Sequence, residues 1–237
     1  MNTSIVITNL RASVFLPQIV FGKDVINALN EELDGFIPSV FTLPNINGLM
    51  VEQQPNEWMM VTSNRKQKLV FRESKVDFID ENEFSYNEDA IAQFSEKCKR
   101  IFQIIISKSG YDVSRVAIAP TLKILKSREE IKTWINSLSN GRLFKKEQLD
   151  ISDFSQIYRV KEKINGQEFL MNYLAKFGTE RTMVRLNDRN TIVEQYLLDL
   201  DINTFADSNY VFGNDAVKDF YTQSAGFCQS LIEFYLD

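Results

Sequence analysis

The sequence predicts an α+β fold of two similar β-α-β(3-4)-α halves, residues 1–111 and 112–237, together forming one compact domain. Each half is expected to be an antiparallel sheet covered by a long helix, the two related by a pseudo-twofold axis. Three observations lead there. "NEDAIAQF" at 87–94 and "GNDAVKDF" at 213–220 open two long amphipathic segments in nearly the same words. Their apolar stripes align at an offset of 126, placing Ile91 on Val217, Phe94 on Phe220, Ile101 on Phe227 and Ile105 on Leu231, at helical spacing. Each segment also closes a region of strand-like runs that itself follows a short helical pattern. The short patterns align at an offset of 105: Ile26, Leu29 and Leu33 on Ile131, Trp134 and Leu138. A unit of this size is marginal alone and gains by sharing a core with its copy.

The elements follow in order. "SIVITNLRASVFLPQIVF" (4–21) is rich in Val, Ile and Phe and reads as a strand, with Pro17 suggesting an edge or a bend. "KDVINALNEELDG" reads as a short helix with Asp24 at its N-cap and Gly35 beyond its end. "GLMVEQQ", "EWMMVTS", "QKLVFRES" and "KVDFIDE" read as meander strands, the later ones divided by turns such as "SNRK". Residues 87–110 form the first long helix, stopped by Gly110. The order then restarts: a strand over 114–126, and a helix over 127–141 whose Ser127 and Glu130 spell a capping box. A hairpin over 156–177 turns at Asn165-Gly166. Strands at "TMVRL" and "NTIVEQYLLDLDINTF" follow, and a closing helix spans 214–237.

Composition removes whole classes of chemistry. The 237 residues include no His, so a His general base, a His-activated nucleophile and a His metal ligand are all excluded. Gly is scarce at 9, and no Walker loop, GxGxxG, GxSxG or HExxH motif occurs. Cys98 and Cys228 form no CxxC pair and fall on apolar helix stripes, as expected of a reduced, cytoplasmic protein. The first residues lack signal-peptide features and no stretch reaches membrane-spanning length, so no membrane association is expected. No cofactor is implied.

The net charge of −5 is unevenly spread. Residues 1–96 hold 7 Lys/Arg against 14 Asp/Glu, residues 97–189 hold 19 against 10, and residues 190–237 hold 1 against 8. The basic middle third offers a polyanion-binding set. Arg159, Lys161 and Lys163 share one face of a strand, Arg142, Lys145 and Lys146 precede it, and Arg181, Arg185 and Arg189 follow. Tyr158, Phe169 and Tyr173 could stack bases if exposed. The bland alternative is a solvated sheet face, since Glu162, Glu168 and Glu180 interleave. In "YLLDLDIN", Asp199, Asp201 and Asn203 share one strand face and offer oxygen ligands for Mg²⁺ or Ca²⁺, though the following "TFADSN" lacks the Gly and Glu of a calcium loop. Trp58 and Trp134 read as core. Met59 and Met60 point to opposite strand faces, so at most one is core.

"SRVAIAPTLKI", "YLLDLDINTF" and the final Phe-rich helix resemble a sporadically distributed, uncharacterised bacterial protein family with the same element order. The resemblance implies a bacterial source, in a defence or mobile locus, and transfers no functional residue. The duplicated order is also similar to the saddle of the TATA-binding-protein-like fold. A shared fold would not by itself imply DNA binding. The function expected first is therefore a non-enzymatic intracellular binding protein, meeting a protein partner or a second copy of itself. The alternatives are a nucleic-acid or polyanion binder using the basic third, and a metal-dependent enzyme built on Asp199 and Asp201.

Overall fold

Alternating apolar residues in β1 (Ile5–Phe15) leave Ile7, Leu10, Ala12 and Val14 buried, the rhythm shifted by one extra residue between Ile7 and Asn9. That is a β-bulge, which lets one strand keep its core face past an irregularity. The computed structural model describes residues 5–17, 23–33, 35–41, 57–86, 88–138, 153–186, 189–206 and 210–236. Its elements continue with α1 (Lys23–Glu32), β2 (Phe36–Phe41), β3 (Glu57–Thr62), β4 (Gln67–Arg72), β5 (Lys75–Asp80), β6 (Phe84–Ser85) and α2 (Glu88–Ser109). After them come β7 (Arg115–Ile124), α3 (Arg128–Leu138), β8 (Phe154–Ile164), β9 (Gln167–Leu186), β10 (Arg189–Thr204) and α4 (Asn214–Leu236).

All ten strands among the described residues belong to one antiparallel sheet, ordered β2-β3-β4-β5-β1-β7-β10-β9-β8, with β6 pairing a free stretch of β1. The two parts of the sequence thus share one sheet. They join edge to edge through β1 and β7, in register from Ile5↔Ile124 to Phe15↔Arg115. One face of the sheet carries the main core. Val76 and Phe78 of β5, Val116, Ile118 and Leu122 of β7, Leu198, Leu200 and Ile202 of β10, and Phe169, Met171, Ala175 and Phe177 of β9 lie in a single core. Buried residues of all four helices join that core, including Leu29, Phe102, Ile131 and Phe220.

Helices α2 and α4 pack together over the middle of the sheet. Phe102 stacks on Tyr221 at 5.1 Å, and the Ser95 and Ser224 hydroxyls meet at 2.9 Å in a buried contact. Tyr221 Oη reaches across the central seam, donating to the Ser13 carbonyl at 2.8 Å with the Ala117 carbonyl at 3.2 Å. Arg100 of α2 pairs with Glu32 of α1 at 2.9 Å. Trp134 of α3 donates its indole N–H to the Tyr235 carbonyl and packs edge-on against Phe177.

Several sequence expectations need correction here. Asp24 is not the N-cap of α1, because the helix already begins at Lys23. Pro17 lies at a bend beyond the end of β1, as one of its two readings expected; the edge reading fails, because β1 is a central strand. "TMVRL" is no separate strand but the far end of the 20-residue β9. Trp58 is 43% exposed rather than core, while Met60 is buried and Met59 is not. The strand β2 went unread because Pro38 interrupts its apolar run; Pro is compatible with a sheet edge, and β2 is the terminal strand. "GLMVEQQ" lies outside the described residues.

A candidate polyanion-binding sheet face

Among the described residues the helices pack on one side of the sheet; the other side carries no described helix, and a row of buried residues, Val70, Asp77, Ser13, Ala117 and Asn203, crosses it between more exposed positions. Pleating decides which side chains stand there. On β8, the residues paired with the buried Met171, Tyr173, Ala175 and Phe177 point to the helices. Ser155, Ile157, Arg159, Lys161 and Lys163 point away. By the same parity the helix-free face takes Arg11 from β1, Arg115 and Lys123 from β7, Lys176 from β9, and Lys68, Arg72 and Lys75 from β4 and β5.

Near β1 the cations are held by carboxylates. The Asp77 side chain is almost fully enclosed; it takes ion pairs from Arg72 and from Lys75 at 2.8 Å, and the Ser13 hydroxyl at 2.5 Å. Lys68 pairs with Glu81 at 2.6 Å. Arg115 lies over the Phe15 ring at 5.1 Å and donates to Asn203 Oδ1 at 2.7 Å. Toward β8 the ties are longer and more exposed. Arg159, Lys161 and Lys163 are exposed, Arg159 leaning on Asn172 and the Phe205 ring, Lys161 meeting Glu168 only at 3.7 Å. Arg11 and Lys176 make no ion pair among the described residues, and both line a hollow of about 270 Å³ at the middle of the face.

That hollow also contains the predicted acidic residues. Asp199 and Asp201 line it with Asn9 and Thr121. Thr121 donates to Asp199 Oδ1 at 2.7 Å. Asn203 is engaged elsewhere: its oxygen accepts from Arg115 and from Asn172 at 3.0 Å, and its amide donates to Asp201 at 2.8 Å. Asn203 therefore braces Asp201 instead of standing beside it as a third ligand. Among the described residues no group of three or more Cys, Asp or Glu side chains is placed to hold a metal ion.

The remaining sequence-predicted residues scatter. Arg181 stands on the helix side of the sheet, bonded to Glu194 at 3.0 Å. Arg185 and Arg189 lie in the β9–β10 hairpin, paired in register with Asn190 and Leu186. Arg142, Lys145 and Lys146 lie outside the described residues. The three aromatic residues do not serve base stacking on this face. Phe169 and Tyr173 are buried, and Tyr158 turns to the helix side against Phe234. Sequence reasoning missed Arg11, Arg115 and Lys176, since their shared face exists only once β1, β7 and β9 are laid in one sheet. Both cysteines are buried and free, with burial pushing each thiol well above its ordinary value, so neither is a reactive thiolate.

No family model and no curated protein matches the chain. Among solved structures it is similar to the rolling circle replication initiator protein from Geobacillus stearothermophilus, at a TM-score of 0.35 and 10% identity, over 99% of this chain and 86% of that one. A likeness at that level carries neither fold nor function across.

Proposed function

We propose that the helix-free face of the sheet binds nucleic acid through its phosphates, without base readout. One observation carries this: Arg11, Arg115, Lys176, Arg159, Lys161 and Lys163 arrive from four strands on one side of the sheet, in a chain whose net charge is −5. Acidic residues are in excess on the other side, in α1 and α4. From β1 to β8 the cations span four strand intervals, about 19 Å, a track for several successive phosphates. With no described exposed aromatic ring flanking Lys161, affinity comes from charge and counterion release.

The two-half, saddle-like architecture belongs with this proposal. Support comes from the strand order, which reads β5-β4-β3-β2 outward from β1 and β10-β9-β8 outward from β7. The α2–α4 contact lends further support, since Phe94 and Phe220 both lie buried at aligned positions. A face shared by two such halves brings its cations toward one ligand.

The test is fluorescence anisotropy with labelled single- and double-stranded oligonucleotides of mixed sequence. Binding is expected at low salt and weakens by about a hundredfold or more between 50 and 200 mM salt, as several phosphate contacts require. The Lys161→Glu/Lys163→Glu variant binds at least tenfold more weakly. Absence of binding at low salt, or an unaffected double variant, sinks the proposal.

A protein-binding role has its own support in the β8 edge. No described strand pairs its outer side, and Ile157 (60% exposed), Val160 and Tyr158 lie along it beside Phe234. An open edge with apolar side chains is a template for a second chain. Light scattering after size exclusion separates the two roles: self-association lost in Val160→Lys, with oligonucleotide binding kept, assigns the edge to a second copy.

A further inference from the structure

On the helix side, where β5 ends at Asp80 and β6 begins at Phe84, a cavity of about 540 Å³ opens between the sheet and the first turns of α2. That is the size of a small-molecule site. Its floor is a fixed chain of hydrogen bonds. Lys97 Nζ donates to Gln67 Oε1 at 2.6 Å, Gln67 Nε2 to Asp80 Oδ2 at 2.6 Å, and the Asn82 amide and backbone N–H both donate to Asp80 Oδ1, at 2.6 and 3.0 Å. Asp80 is buried, so the chain is held rather than solvated. Leu10, Phe84 and Phe94 supply an apolar wall.

The groups left unspent define a ligand. Asn82 Oδ1 remains as an acceptor, and Lys97 retains N–H donors beyond the one given to Gln67. At the mouth, Ser85, Asp89 and Gln93 are exposed and add further donors and acceptors. A molecule filling this space needs an apolar body to meet Leu10, Phe84 and Phe94 and an edge that both donates and accepts. Two carboxylates, Asp80 and Asp89, face a single cation, Lys97, so a phosphate is disfavoured. Burial lowers the proton affinity of Lys97 and weakens that cation further, although Asp80 opposes the effect.

We infer that this cavity is a binding site for an uncharged nucleobase-bearing small molecule, a nucleoside rather than a nucleotide. The site lies on the opposite side of the sheet from the proposed polyanion face and does not depend on it. Isothermal titration of the full chain with adenosine, guanosine, cytidine and uridine, and with their 5′-monophosphates, tests it. Saturable one-to-one binding of at least one nucleoside is expected, about fivefold tighter than its monophosphate and about tenfold weakened in Asn82→Ala, the loss of a hydrogen-bonding edge. Gln93→Arg, an exposed helix position that should fold normally, blocks the mouth and gives the same loss; Lys161→Glu on the other face leaves affinity unchanged. Folding of each variant is checked by far-UV circular dichroism. No saturable binding of any nucleoside at millimolar concentration overturns the inference. So do affinity unchanged in Gln93→Arg, affinity lost in Lys161→Glu, or tighter binding of the monophosphate.

Discussion

Tyr221 shows how much one side chain can fasten. Its ring stacks on Phe102 of the neighbouring helix, and its hydroxyl reaches carbonyls on β1 and β7. Removing the hydroxyl leaves a buried carbonyl without its donor, a loss of about 1–3 kcal/mol. Tyr221→Phe should lower the urea unfolding free energy by that amount while keeping the helical signal. Glu130 makes a second residue-scale case. Hydrogen bonds from the Ser127 side chain and backbone hold its carboxyl below the ordinary range. A depressed folded-state value means this contribution is present above the unfolded pKa, about 4.3, and is lost as pH falls through the lowered value. Ser127→Ala should therefore flatten part of the acid limb of stability, as read from urea melts across that range. Asp199 and Asp201 face Arg11 and Lys176 across one hollow, while Asn203 is occupied by its neighbours. Saturating Mg²⁺, Mn²⁺ or Ca²⁺ should accordingly leave the thermal midpoint in place; a clear rise would restore these carboxylates as a metal site.

At the scale of elements, the sequence speaks clearly where the signal is local. The capping box opens α3 where it was expected, with Ser127 and Glu130 exchanging hydrogen bonds. Asn165 and Gly166 take φ of 49° and 76°, the left-handed pair that a two-residue hairpin needs, and the turn is tied to α4 through Asp219. The long helices run 88–109 and 214–236 with their stripes buried. Phe102 lies at the centre of their contact, fully buried. Phe102→Ala should cost about 3–5 kcal/mol, measurable by chemical denaturation; a loss below about 1 kcal/mol would mean that α2 does not depend on α4. What escaped the sequence was pairing. Nothing in "SIVITNLRASVF" says that its partners are β5 and the still more distant β7, from Phe15↔Arg115 to Ile5↔Ile124, rather than the next strand. Phe169 and Tyr173 looked available for ligands because alternation fixes which residues share a face but not which face the helices cover.

For the whole molecule, one sheet with one covered side separates two environments. The helix side holds the core and the Asp80–Lys97 cavity, and past the ends of the neighbouring strands the β9–β10 hairpin continues alone: β8 pairs β9 only to Phe177 and β7 pairs β10 only to Tyr196. Met183 and Ile192 stand opposite each other beyond that point, 67% and 64% exposed. The helix-free side holds the cations. The basic strands were legible individually, and the basic middle third was legible as a charge imbalance. Their convergence on one side was not, because it depends on β1 lying against β7. No helix among the described residues is long and apolar enough to cross a membrane.

The β1–β7 junction also sets the order in which this chain can mature. When the first strand leaves the ribosome, residues 75–80 can cover one of its sides within a modest length of chain. Its other side waits for residues 115–124. Until then a mostly apolar ribbon stands at the margin of a half-built layer, open to any extended peptide nearby. Contacts so far apart in sequence close late and slowly, so nascent chains halted near residue 100 should be far stickier than those released past 130.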